Sequence, residues 1–170
     1  MILEKFLVPI LVAAFVGVGA WLARSLVLLR PRLRVNYQPG SGRSSLGPAG
    51  MLEIHWAYKI DLTNLRKYDA LEIKVIQTTN SQLTKLPIDH IKGMDHATFD
   101  MQLAKNVDVD TVIKARHDFH GELEPPELKK LLLCLEYRNS SGFKFYTVYR
   151  RVDGSQTNTN HFRMPRIAAT

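Results

Sequence analysis

Residues Phe6 to Ala23, FLVPILVAAFVGVGAWLA, carry no charge and no strongly polar side chain, and Arg24, Arg30, Arg32 and Arg34 follow directly. No other stretch restricts the fold so strongly. At about 1.5 Å per residue a helix of this run spans roughly 27 Å, close to a hydrocarbon core of about 30 Å. Ser25 to Leu29 lengthens it if Arg24 reaches back to the headgroups. Pro9 falls near the helix start, where a missing N–H costs little, and Trp21 sits near one end, as interfacial aromatics do. A buried core helix is the bland competitor, and the length of the uniform apolar run argues against it. A cleaved signal peptide is the other: Val18-Gly19-Ala20 satisfies a small-residue cleavage rule. Its charged leader would be weak, since Glu4 offsets Lys5, so the sequence predicts a retained single span.

Flanking charge predicts orientation. Lys5 precedes the run and four arginines follow it, which favours a C-terminal domain on the cytoplasmic side. The lone Cys134 agrees, because small secreted domains often carry disulfide pairs. Within the run Ala13, Gly17 and Ala20 recur at three- and four-residue spacing, a face on which two spans can approach closely. Such residues are also common in membrane helices that never associate.

About 140 residues remain outside the anchor, a usual size for one domain. The net charge of +7 suggests nucleic acid until it is divided along the chain. Residues 1–34 hold five basic and one acidic residue, residues 35–137 hold 12 and 14, and residues 138–170 hold six and one. The body is near neutral, so nucleic acid is disfavoured as a partner.

Met51 to Asn64, MLEIHWAYKIDLTN, alternates Leu52, Ile54, Trp56, Tyr58, Ile60 and Leu62 with mostly polar residues, the period of a half-buried strand. Tyr68 to Gln77, Ala97 to Leu103 and Val109 to Phe119 read as further strands, and Arg32 to Tyr37 alternates with Leu33, Val35 and Tyr37 inward. Leu128 to Tyr137 and Phe143 to Val152 flank Asn139-Ser140-Ser141-Gly142 and predict a hairpin. That makes about seven strands and no helical pattern long enough for βαβ units, hence an all-β domain over residues 31–152. A long strand with an inward tryptophan, a Y-D-A-L strand and a closing L-C-L-E-Y…F-Y-T-V-Y hairpin resemble immunoglobulin and fibronectin-III domains, which implies a β-sandwich. Gln38 to Gly50, with four glycines and two prolines, is expected to be a loop or linker, and Asp153 to Thr170 a polar, mobile tail.

Few residues suggest chemistry. His117 and His120 have metal-ligand spacing on a helix, but on a strand they would point apart, so solvated loop-edge histidines are expected. Asp108-Val109-Asp110 starts like a calcium loop but lacks the glycine and closing glutamate, which leaves turn carboxylates. Cys134 lies in the apolar run LLLCLEY and reads as packing, and no serine has a nucleophile-elbow context. No catalytic residue, metal or cofactor is expected.

Lys144, Tyr146, Arg150 and Arg151 form the one basic and aromatic cluster, a face for a small anionic ligand or simply a charged sheet edge. The sequence therefore points to a non-enzymatic, single-pass subunit that contacts membrane lipid and binds or braces protein partners, including itself. A ligand-gated oligomeric effector sensing a nucleotide is one alternative. An envelope protein with its domain outside the cytosol is the other.

Overall fold

The computed structural model describes residues 2–116 and 118–166. The N-terminal helix α1 (Ile2–Ala23) continues into one π-helical turn (Arg24–Leu28). Only 6 % of the apolar stretch Leu7–Leu28 is buried, and Phe15 is 81 % exposed, so this helix is not a core element. It is long and apolar enough to cross a membrane.

The rest is mostly β-sheet. Strands β1 (Leu33–Leu46), β2 (Met51–Asn64), β3 (Ala70–Thr78), β4 (His90–Ile91) and β5 (His96–Asp108) come first. Short helices α2 (Val109–Lys114) and α3 (Pro126–Lys129) follow, then β6 (Leu132–Arg138), β7 (Lys144–Val152) and β8 (Ser155–His161). One sheet has the order β1-β2-β5 and the other β4-β3-β6-β7-β8, with every pairing antiparallel. The alternation in β2 survives intact, with Ile54, Trp56, Tyr58, Ile60 and Leu62 all buried. They share one core with Leu33, Val35 and Tyr37 of β1 and with inward residues of β6 and β7, including Tyr137, Phe145 and Tyr149. The predicted hairpin forms as β6–β7, with Tyr137 opposite Phe145 and Leu133 opposite Tyr149.

Four expectations need correction. The stretch 38–50, expected as a linker, is strand to Leu46, because the long β2 offers backbone partners along its whole length. A register shift between Pro39 and Gly42 absorbs the proline that cannot donate to the ladder. Gly42 also permits a close approach, since a Cβ there would lie 2.3 Å from the Phe119 Cβ. Second, Val109–Lys114 is a helix, despite its β-branched residues, because Asp108 caps it by accepting from Thr111 N at 3.1 Å. Third, the strand expected from Leu128 begins only at Leu132, after α3 with its N-terminal Pro126. Last, the expected tail holds β8, paired along β7 from Val152↔Ser155 to Tyr146↔His161.

β8 earns its place through side chains. β1 rims its sheet, and its backbone groups at alternate residues have no strand partner. Asn158 of β8 accepts from Val35 N and donates to Val35 O, both at 2.8 Å. Gln156 repeats the pattern on Tyr37, at 3.0 Å and 2.9 Å. The two amides stand in for a missing strand and tie the rims of the two sheets together. At the other end of β2, Asn64 accepts from the backbone N–H of Arg32 (3.3 Å) and Arg66 (3.2 Å) and donates to Tyr68 O (2.7 Å).

Candidate functional site

The junction between helix and domain is a densely hydrogen-bonded polar site. In the π-helical turn Leu29 N bonds Arg24 O at 2.8 Å, which leaves Ser25 O without its α-helical partner. Asn139, at the start of the β6–β7 loop, takes that carbonyl: its Nδ2 donates to Ser25 O at 2.8 Å and to Leu29 O at 3.4 Å. Its Oδ1 accepts from Ser141 N (3.1 Å) and Phe143 N (3.0 Å), so one side chain shapes the loop and caps the helix together. Ser25 and Ser141 hydroxyls meet at 3.2 Å, and the Trp21 and Phe143 rings lie 5.5 Å apart at 51°. Ser25 and Asn139 are both buried, so each of these groups lost would leave a polar atom unmatched at about 1–3 kcal/mol. The helix thus enters the domain at a fixed position.

The basic and aromatic residues singled out by sequence divide between two faces of β7. Lys144, Tyr146 and Arg150 share the outer face, where Lys144 Nζ pairs with Glu136 Oε1 at 2.8 Å and Arg150 is exposed. Burial disfavours the Glu136 carboxylate, yet hydrogen bonds from Lys144 and Tyr146 outweigh it and hold its pKa below the ordinary value. Arg151 points the other way, since consecutive strand residues alternate, and it is 7 % exposed. The four residues therefore do not form one anion-binding face.

Arg151 instead anchors a buried network. Its Nη1 lies 3.0 Å from Glu124 Oε1 and also donates to Leu128 O, while its guanidinium stacks over Tyr37, 4.3 Å from the ring centre. Tyr37 donates to the same Glu124 oxygen at 3.0 Å. Burial, then the adjacent carboxylate and its hydrogen bond, pushes the Tyr37 pKa far above the usual phenol value. This cluster welds β7 to β1 and to the segment before α3. A cavity of about 280 Å³ beside it is lined by His120, Lys129 and Asp153 among others. Both His120 ring nitrogens are buried without a hydrogen-bond partner. His117, the other half of the H-x-x-H spacing, lies outside the described residues.

Cys134 is fully buried, and burial followed by the Glu136 charge pushes its thiol up to about 11, far from a reactive thiolate at neutral pH. Ala13, Gly17 and Ala20 stand open on the helix surface, and a Cβ on Gly17 would meet nothing within 4 Å. The structural roles of Asn64, Asn139 and Glu124 and the ring contacts of Arg30 were not legible in the sequence. Asn139 had a signal, as the first residue of N-S-S-G, but its contact with a helix 114 residues earlier had none. No protein-family model matches the chain, and no curated protein matches it either.

Proposed function

We propose that this chain is a non-enzymatic, single-pass membrane subunit whose β-rich domain is held at the bilayer surface to bind or brace other protein subunits. The observation that carries the reading is the locked junction at Ser25, Asn139, Trp21 and Phe143, set at the end of a helix whose apolar surface is otherwise uncovered. A domain fixed this way transmits its position to the span, which suits bracing. The buried, inert Cys134 speaks against thiol chemistry.

The finer reading of the fold is a sandwich of immunoglobulin or fibronectin-III type. Its support is the division into three- and five-stranded antiparallel sheets that share one apolar core. The arginines after the span favour a cytoplasmic domain, and the Ala13, Gly17 and Ala20 face is the proposed contact between spans. The ligand-gated alternative loses Arg151 as an anion ligand, because Glu124 already holds it.

Alkaline carbonate extraction followed by purification in mild detergent tests the reading. The chain should stay in the membrane pellet and then elute together with other chains or further copies of itself. Release into the carbonate supernatant, or elution as a solitary monomer, would sink it. A reporter fused after Thr170 reads the side of the membrane, with activity in the cytoplasm expected.

A further inference from the structure

A second cluster of arginines sits at the foot of the helix, apart from the Arg151 network. Arg30 follows the apolar stretch by two residues, Arg32 precedes β1, and Arg66 lies in the β2–β3 turn. Asn64 brings the last two together by accepting from both of their backbone N–H groups. All three line a cavity of about 540 Å³, whose other walls include Val27, Asn158 and Phe162. No acidic side chain lines it, and none of the three arginines has an ion pair among the described residues.

Arg30 is the most exposed to this imbalance. Its guanidinium lies 3.9 Å from the Phe162 ring centre and 5.6 Å from that of Phe145, so it is fixed in place. Its Nε and Nη2 are buried and find no acceptor in the protein. Burial first, and then the charges of Arg32 and Arg66, lower its pKa from the ordinary value, yet an arginine stays charged at neutral pH. Three neighbouring positive charges, one of them held between rings with two unmet donors, call for an anion with several acceptor oxygens, and a phosphate offers them in forked geometry.

Position selects the source of that phosphate. Arg30 stands two residues beyond the end of the apolar stretch, within about 7 Å of it even for extended chain. The headgroup layer on each side of the hydrocarbon core is roughly 5–8 Å deep. Val27, 65 % exposed, and Phe162, 49 % exposed, give the cavity an apolar flank next to the helix. We infer that this cavity binds the headgroup phosphate of an anionic membrane lipid, with Arg30, Arg32 and Arg66 as its ligands and Val27 against the start of the acyl chains. The inference rests on the membrane reading given above, and it names the lipid class that the domain selects.

Native mass spectrometry of the full chain, released from nanodiscs of equal phosphatidylglycerol and phosphatidylcholine, tests it. Phosphatidylglycerol should be retained over phosphatidylcholine by at least about tenfold, as expected for a basic pocket at the headgroup level. Arg66→Gln, an exposed change, should remove most of that preference, and Arg30→Lys, which keeps the charge but loses the fork, should weaken it. Lys114→Gln with Lys130→Gln removes two charges from the opposite end of the domain and should leave the preference intact. Equal retention of both lipids, or equal loss in the two sets of variants, would overturn the inference. Saturable binding of glycerol phosphate by the delipidated chain, without lipid preference, would assign the cavity to a free phosphate and overturn the lipid source. Carbonate release of the chain would instead remove the membrane reading itself, so the two failures are told apart.

Discussion

Arg151 and Arg30 both hold a guanidinium against an aromatic ring, one buried in a strand and one half-buried after the helix, and they differ in what meets the charge. Each is stacked on an aromatic ring, at 4.3 Å for Arg151 over Tyr37 and 3.9 Å for Arg30 over Phe162. Each lines a cavity. Arg151 meets Glu124 at 3.0 Å and a backbone carbonyl, whereas Arg30 meets no acceptor on two of its nitrogens. The difference separates the two ends of the domain. Away from the helix the buried guanidinium of Arg151 is compensated internally, by Glu124. At the helix the three arginines that line the cavity have no ion pair among the described residues, beside a helix whose apolar surface is uncovered. Burial of a cation does not by itself say what the cation is for; the presence of its counter-charge does.

The largest effect that can break this contrast is at Glu124. Glu124→Ala strands a buried guanidinium and should cost about 3–5 kcal/mol in chemical unfolding of the full chain in detergent. A loss below about 1 kcal/mol would mean that the pair is not the internal compensation described above. Asn139→Ala comes next. It leaves Ser25 O and two loop N–H groups unmatched, for a loss of about 1–3 kcal/mol, and should raise hydrogen exchange at residues 24–29 and 139–143 together. Exchange that rises in only one of the two segments would show that helix and loop are not coupled through this side chain. The smallest effect is expected at Arg30. In detergent without anionic lipid, Arg30→Met should shift stability by no more than about 1 kcal/mol, since it removes a stacking contact and a desolvated charge together. A loss as large as that at Glu124 would erase the distinction between the two arginines.

Much of the fold could be read from local pattern. The alternation from Leu52 to Leu62 and the β6–β7 hairpin around its N-S-S-G loop depend on residues close in sequence, and both form, although β6 begins only at Leu132. Where the reading failed, a distant partner decided. Gly and Pro in 38–50 argue for a loop locally, but β2 supplies enough backbone partners to hold a strand. The polar SQTNTNH of β8 looks like a tail until β7 pairs with it and its amides find Val35 and Tyr37. The β-branched Val109–Lys114 goes the other way, because the Asp108 cap and the burial of Val112 favour one helical turn. The candidate site was least legible. Arg150 and Arg151 look equivalent in sequence, and only the strand's alternation and the position of Glu124 separate an exposed cation from a buried one.

Residue type and period together determined that the N-terminal helix is long and apolar enough to cross a membrane and that most of the remainder is β-strand. Tertiary structure decided which charges cancel and which do not. Arg151 and Glu124 are 27 residues apart, Arg32 and Arg66 are drawn together by Asn64, and Asn139 reaches Ser25 across 114 residues. A charge acts over a few ångströms of space, and folding sets those distances without regard to how far apart the residues stand along the chain.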